Sequence, residues 1–305
     1  MRLSSFKEKT GFHPSWLSDF SLKGWIARKG KARSIEKKIS RKKETDLKEA
    51  GMAYLLAGDR KVRIEGILFD KDGTLLDFMS LWGEWAQSVC DSLAGYVSSE
   101  SSISLDDLLG TVSDDKGNIV SHNPKGPLMM ASPEEMGAII AWRLYYEGHS
   151  WNDSLTLARR FFQAADAHVE EQRGAKPIHG LPEFLGQCRA QGLKLAVVTS
   201  DHTASAVKHL EWMNIRDYFE HIIGDDQVKH GKPHPEMVGE ACARLGLVPS
   251  QTAMIGDANG DMQMGKRGGV ALTVGIASGP EARDALRDAD IIAGHYHELS
   301  LSAEL

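Results

Sequence analysis

The stretch GILFDKDGTLLDF, Gly66 to Phe78, decides how the rest of the chain is read. An apolar run, Ile67-Leu68-Phe69, leads into two carboxylates one residue apart, Asp70 and Asp72, and then into Gly73-Thr74. Together with Val62 and Ile64, the run predicts one buried strand ending at Asp70. Ionised side chains beside buried apolar surface are costly unless something offsets their charge. Two acids at such a strand end therefore point to chemistry rather than packing.

Outward from this stretch, the composition bounds the protein. The chain has 305 residues, of which 42% are hydrophobic and 26% charged, so a packed globular core is expected. No apolar run approaches the roughly 18 residues that span a bilayer, and the N-terminus has no continuous apolar signal region. Cys90, Cys188 and Cys242 are far apart and form neither a metal-binding pair nor an even disulfide framework. The expected compartment is a reducing cytoplasm.

The net charge of −6 is unevenly spread. Residues 1–61 hold 16 Lys+Arg against 7 Asp+Glu, which leaves 20 against 35 in the remainder. An acidic body argues against a phosphate-backbone binder, so any nucleic-acid contact would fall to the basic N-terminus. Residues 1–60 read as a basic N-terminal extension, densest in LKGWIARKGKARSIEKKISRKKETDLKEA, residues 22–50. Three readings stay open: a solvated or partly helical tail, a contact to an anionic surface, and a native start at Met52.

After the opening stretch, Leu81, Trp82, Trp85, Val89 and Leu93 recur at helical spacing and predict an amphipathic helix. The two tryptophans read as packing groups, in the core or at the interface of the inserted domain, rather than as cofactor contacts. Residues 97–135 are polar and turn-rich. Helices are predicted from Pro133 to Gly148 and from Trp151 to Gln172, so residues 79–178 read as mainly helical, with no strand. From His179 the pattern changes. Short β-branched runs, LKLAVVTS, HIIGDD, TAMIGD and VALTVGIA, alternate with helices. That alternation predicts an α/β fold: a doubly wound, Rossmann-like parallel-sheet core built from residues 61–78 and 179–300, with residues 79–178 inserted as a helical domain.

In such a sheet, ligands bind at the carboxyl ends of the strands. Four ends carry polar groups: Asp70–Thr74, then Thr199-Ser200-Asp201, then Lys232 in GKPHPE, then GDANGD at Gly256–Asp261. Clustered carboxylates suit a hard divalent cation such as Mg2+. A lysine and hydroxyls suit phosphate oxygens. A carboxylate can act as nucleophile, and its neighbour as acid and base. These are the parts of a phosphoryl-transfer centre.

The four segments, in this order, resemble the signature motifs of the haloacid dehalogenase superfamily, over about residues 62–295. The resemblance implies that Asp70 is the nucleophile and a metal ligand. Asp72 is implied as the general acid/base, with its backbone carbonyl on the metal. Thr199 and Lys232 are implied to bind the transferring phosphoryl group, and Asp257 and Asp261 to hold Mg2+. Gly73 and Ser200 are implied as further phosphate contacts. Dehalogenases of this superfamily lack the second aspartate, so Asp72 implies a phosphate ester.

The insert after the first motif resembles a helical cap of the phosphoglycolate phosphatase-like type. The implied activity is a Mg2+-dependent phosphatase acting on a small phosphate monoester through an aspartyl-phosphate. A sugar-phosphate mutase is the alternative. A phosphonate hydrolase is less favoured, because no lysine falls between Asp72 and Gly110. Lys71 replaces the family's common apolar residue; strand alternation would direct it away from the metal, and it receives no role. His122, His179, His202, His230 and His234 read as surface groups or local hydrogen-bonders, with His202 a candidate substrate contact. Both monomer and homodimer are open.

Overall fold

The computed structural model describes residues 53–98, 103–277 and 279–303. Most of the basic N-terminal segment, and Met52 with it, lies outside the described residues. Residues 53–60, assigned to that extension from sequence, instead belong to the fold. β1 (Ala53–Ala57) alternates buried and half-buried residues and pairs antiparallel with β2 (Arg60–Ile64).

The strand expected to run from Val62 to Asp70 is two strands. β2 ends at Ile64, and β3 (Gly66–Phe69) starts a different sheet. The break is at Glu65. Its N–H donates to the Gln251 carbonyl at 2.7 Å, and its carbonyl accepts from Lys194 at 3.1 Å. The half-exposed alternation of β2 fits a one-sided sheet, whereas β3 is buried throughout, as a central parallel strand must be.

The chain then enters the insert. A π-helical turn at Met79–Gly83 leads into α1 (Glu84–Ala94). α2 (Leu105–Leu109) follows, then β4 (Thr111–Ser113) and β5 (Ile119–His122), which form an antiparallel hairpin. That hairpin corrects the expectation of a strand-free insert: its polar turn, Asp114–Asn118, masked the pattern. α3 (Pro127–Met130) precedes α4 (Pro133–Tyr146) and α5 (Trp151–Gln172). Ser132 and Ser150 accept hydrogen bonds from the backbone N–H groups of Glu135 and Asp153, so α4 and α5 start where side-chain caps stop the chain from fraying. α4 and α5 pack together, and α1 lies against α5. The insert leaves and returns through adjacent backbone: Asp77 N–H donates to Lys176 at 2.9 Å, and Ile178 N–H to Leu75 at 3.0 Å.

The rest is the α/β alternation. It runs α6 (Leu181–Ala190), β6 (Lys194–Val198), α7 (Thr203–Trp212), β7 (His221–Ile223), α8 (Glu236–Leu245), β8 (Thr252–Gly256), α9 (Asn259–Gly268) and β9 (Leu272–Ile276). α10 (Pro280–Ala285), β10 (Ile291–Ala293) and β11 (Leu299–Ser302) complete it. The six parallel strands are ordered β10-β9-β8-β3-β6-β7. β11 returns to pair with β1, so the smaller sheet joins the two ends of the described chain.

Phe69 lies between two rings of this core, edge-on to Phe219 at 5.8 Å and to Phe184 at 6.4 Å. Buried Tyr296 donates its hydroxyl to the Thr74 carbonyl at 3.1 Å, which ties the chain end to the turn after β3. Cys90, Cys188 and Cys242 are buried free thiols. Among the described residues, no helix is long and apolar enough to cross a membrane.

Candidate active site

β3 is the pivot, flanked by β6 and β8. Phe69 stands opposite both Val197 and Ile255, so Asp70, Thr199 and Asp257 emerge at neighbouring strand ends. The Asp70 N–H is held by the Ile255 carbonyl at 2.9 Å. The chain then turns sharply, with the Lys71 carbonyl accepting from the N–H groups of Leu75 and Leu76. Gly73 has φ +73°, in the left-handed region, and a Cβ there would collide with the Asp257 carboxylate. Gly256 is similarly constrained, since a Cβ would come within 2.6 Å of the Asp261 side chain.

Carboxylate oxygens of Asp70, Asp257 and Asp261 lie within 4.8 Å of one another. Lys232, from the loop after β7, reaches across to Asp70 and pairs with Asp261 at 2.6 Å. Thr74 donates its hydroxyl to Asp257 at 3.1 Å. Asp261 also accepts from the Ala258 N–H at 3.1 Å, so it caps α9 while it faces Lys232. Thr199 is buried at the end of β6, and its hydroxyl accepts from the Asp201 N–H at 3.1 Å. Ser200 is exposed beside it. The Gly73 N–H already donates to the Leu76 carbonyl at 2.9 Å.

Three carboxylates face one lysine, and the imbalance shows at Asp70 and Asp257. Burial pushes the Asp70 carboxyl up to about 6; Lys232 opposes this, and the charges of Asp261 and Asp72 add to it. Burial, then the Asp70 and Asp261 charges, holds Asp257 well above the usual carboxylate range. Burial alone would lower the Lys232 ammonium, but the charges of Asp261 and Asp70 raise it, so it stays protonated. The donor set is hard, oxygen-only and short of positive charge. It fits a divalent cation such as Mg2+, with Asp70, Asp257 and Asp261 as the holding side chains.

Asp72 does not point into that trio. Its carboxylate is 2.9 Å from the Nζ of Lys71 and accepts from Trp82 Nε1–H at 2.7 Å. Lys71, given no role from sequence, is fully buried and contacts the second acid. β3 ends at Phe69, so strand alternation does not extend to residue 71. Trp82 stands where the insert meets the site, and besides packing it donates its indole N–H into the site. Trp85 does pack in the insert, donating to Asp166 at 2.8 Å. Asp201 and His209 complete the group around Lys71. No sequence spacing flags His209, which reaches the site from inside α7. His230 and His234 flank Lys232 with rings 4.6 Å apart, and His230 pairs with Glu236 at 2.9 Å; the two histidines are exposed.

Fold and site together define the class, an α/β enzyme with an acidic, lysine-balanced centre at the carboxyl edge of a parallel sheet. The chain belongs to the haloacid dehalogenase-like hydrolase family, which matches residues 64–269. It is 26% identical over 254 residues to a phosphoglycolate phosphatase of Salmonella typhimurium, covering 79% of this chain and 93% of that one. It is 38% identical over 140 residues to a probable phosphatase, IndB, of Dickeya dadantii; this covers 46% of the chain and 60% of that relative. Among solved structures, a predicted phosphoglycolate phosphatase from Haemophilus somnus superposes with a TM-score of 0.56 at 20% identity, over 76% of this chain and 95% of that one. A putative beta-phosphoglucomutase from Thermotoga maritima superposes at 0.52 with 21% identity, over 75% and 93%. At these identities the two structures speak to the fold alone.

Proposed function

We propose that the protein is a Mg2+-dependent phosphatase that hydrolyses a small phosphate monoester through an aspartyl-phosphate at Asp70. The observation that carries this reading is the Asp70 carboxylate itself: buried, paired with Lys232 and sharing its site with Asp257 and Asp261. Burial would raise the Asp72 carboxyl, but the Lys71 charge and hydrogen bond hold it below the usual range, so Asp72 takes up a proton from solvent before the reaction. Asp70 then attacks phosphorus as the ester P–O bond breaks, and Asp72 gives that proton to the leaving oxygen. In the second step Asp72 takes a proton from water, whose oxygen attacks phosphorus and breaks the Asp70–phosphate bond. Lys232 offsets the charge of nucleophile and phosphoryl group, and Thr199 donates its hydroxyl to a phosphoryl oxygen. A Mg2+ held by Asp70, Asp257, Asp261 and the Asp72 backbone carbonyl would neutralise the remaining charge and polarise the phosphoryl oxygens.

Residues 79–178 act as a cap over the strand ends, excluding water and reading the leaving group. The Trp82 hydrogen bond to Asp72 supports this, since it brings the insert into contact with the second acid. Ser200, exposed at the same edge, is the further phosphate contact. Gly73 serves through the turn it allows rather than through its occupied N–H. A phosphoglycolate-like substrate leads, in keeping with the name of the relative matched over 93% of its length.

The test is a phosphate-release screen over small phosphometabolites with Mg2+, with Asp70→Asn as the blank. Stoichiometric free phosphate supports hydrolysis, and a rearranged phosphate ester means a mutase. If folded protein turns over no ester, or Asp70→Asn matches the parent, the reading fails.

A further inference from the structure

Burying a lysine ammonium is expensive, and an apolar side chain of the same length would fill the space at no such cost. Lys71 is buried completely, between the two acids of the opening stretch. Its Nζ hydrogen-bonds Asp72 at 2.9 Å, meets His209 Nδ1 at 3.0 Å and pairs with Asp201 at 3.1 Å. An ammonium group only donates, so His209 Nδ1 must accept and its ring proton must sit on Nε2. Burial, then the Lys71 charge, pushes His209 down to about 3, which keeps the ring neutral.

The partners come from separate places: the turn after β3, the loop after β6, and α7. A further contact comes from the insert. Trp82 donates to the Asp72 oxygen that Lys71 holds, and its ring stands edge-on to His209 at 6.1 Å. The Asp201 and His209 ties meet at Lys71, and the Lys71 and Trp82 ties meet at Asp72, whereas the Asp70 carboxylate is served separately by Lys232.

We infer that Lys71, anchored by Asp201 and His209, is a positioning residue that holds the Asp72 carboxylate in place for proton transfer, with Trp82 linking that placement to the insert. The inference rests on the reading of Asp72 as general acid/base. Proton donation matters most when the leaving oxygen is basic. Lys71 must therefore matter for poor leaving groups and little for activated ones, a selectivity that general loosening of the fold does not produce.

The experiment compares kcat/KM for benzyl phosphate and p-nitrophenyl phosphate, which differ mainly in leaving-group basicity, using full-length protein with Mg2+. Asp72→Asn is expected to lose ~100-fold or more on the benzyl ester and far less on the nitrophenyl ester. Lys71→Met is expected to lose at least ~10-fold on the benzyl ester and under ~3-fold on the other. In the Asp72→Asn background, Lys71→Met should add under ~2-fold, because it acts through a group already removed.

Lys71→Met leaves Asp201 unpaired, so Lys71→Met/Asp201→Asn, which removes the ion pair as a unit, is made beside it with the same selectivity expected. Trp82→Phe keeps the buried ions and should show a smaller loss of the same kind. Equal losses on both esters, a gain on the benzyl ester, or full additivity with Asp72→Asn would overturn the inference while leaving the phosphatase reading standing. Absence of turnover from folded parent protein would overturn both.

Discussion

The most exposed consequence of this geometry concerns stability, because the residue proposed as nucleophile should weaken the metal-free fold. Asp70 has its carboxyl pushed from 3.8 to about 6, with burial the largest cause. A folded-state value above the unfolded one means that the folded protein holds its proton more tightly. The stability contributed is full below pH 3.8 and is lost as pH rises through about 6. At about 1.4 kcal/mol per pH unit, the gap amounts to about 3 kcal/mol at neutral pH.

Asparagine mimics the neutral acid, so Asp70→Asn in chelator at pH 7.5 should be more stable than the parent by up to about 3 kcal/mol. For a chain of this size that is on the order of 5–10 °C in Tm. The advantage should vanish by about pH 4, where the parent carries the proton too. The assay is thermal or urea unfolding with EDTA across that pH range. If Asp70→Asn is equally or less stable than the parent at pH 7.5, the Lys232 ion pair outweighs the burial cost, and the account of the site's charge balance is wrong.

Mg2+ should raise the Tm of the parent through preferential binding to the folded state, and by much less in Asp257→Asn or Asp261→Asn; equal rises in all three would place the cation elsewhere. His209 titrates at about 3 when folded against 6.5 when unfolded, so the unfolded chain binds the proton first. Its contribution is full above pH 6.5 and falls as pH drops towards 3, with a slope of at most about 1.4 kcal/mol per pH unit; His209→Gln should flatten that acid limb in unfolding curves, and an unchanged limb would contradict a neutral buried ring. Phe69→Ala empties the space between Phe184 and Phe219 and should cost about 3–5 kcal/mol by urea unfolding; a cost under about 1 kcal/mol would mean the core collapses around it.

Much of the fold was legible because its signals are local. Short β-branched runs separated by capped helices mark a parallel sheet, and Asp70, Thr199, Lys232 and Asp257 each follow such a run or its loop. β11 was not legible, because its partner is at the far end of the chain: Leu299 to Ser302 pair with Tyr54 to Ala57. β1 pairs locally with β2 and was passed over because residues 1–60 were read as one basic extension. β4 and β5 are three and four residues long, too short to show a period. The surroundings of Lys71 were not legible because Asp201 and His209 reach it from segments more than a hundred residues along the chain.

What the sequence determined by itself is the chemistry available: which acids, which lysine and which hydroxyls stand at strand ends, since those depend on residue type and on period over a few neighbours. What only the tertiary structure decided is how they are shared out. The register of β3 against β6 and β8 brings Asp70 to Asp257, where Lys232 meets it, while the turn after β3 delivers Asp72 to Lys71 and Trp82, with Asp201 and His209 held on Lys71. Two carboxylates one residue apart thereby enter different electrostatic surroundings. Burial and neighbouring charge set those surroundings, and much of both comes from segments more than a hundred residues away along the chain: Lys232 at Asp70, and His209 against Lys71, the neighbour of Asp72.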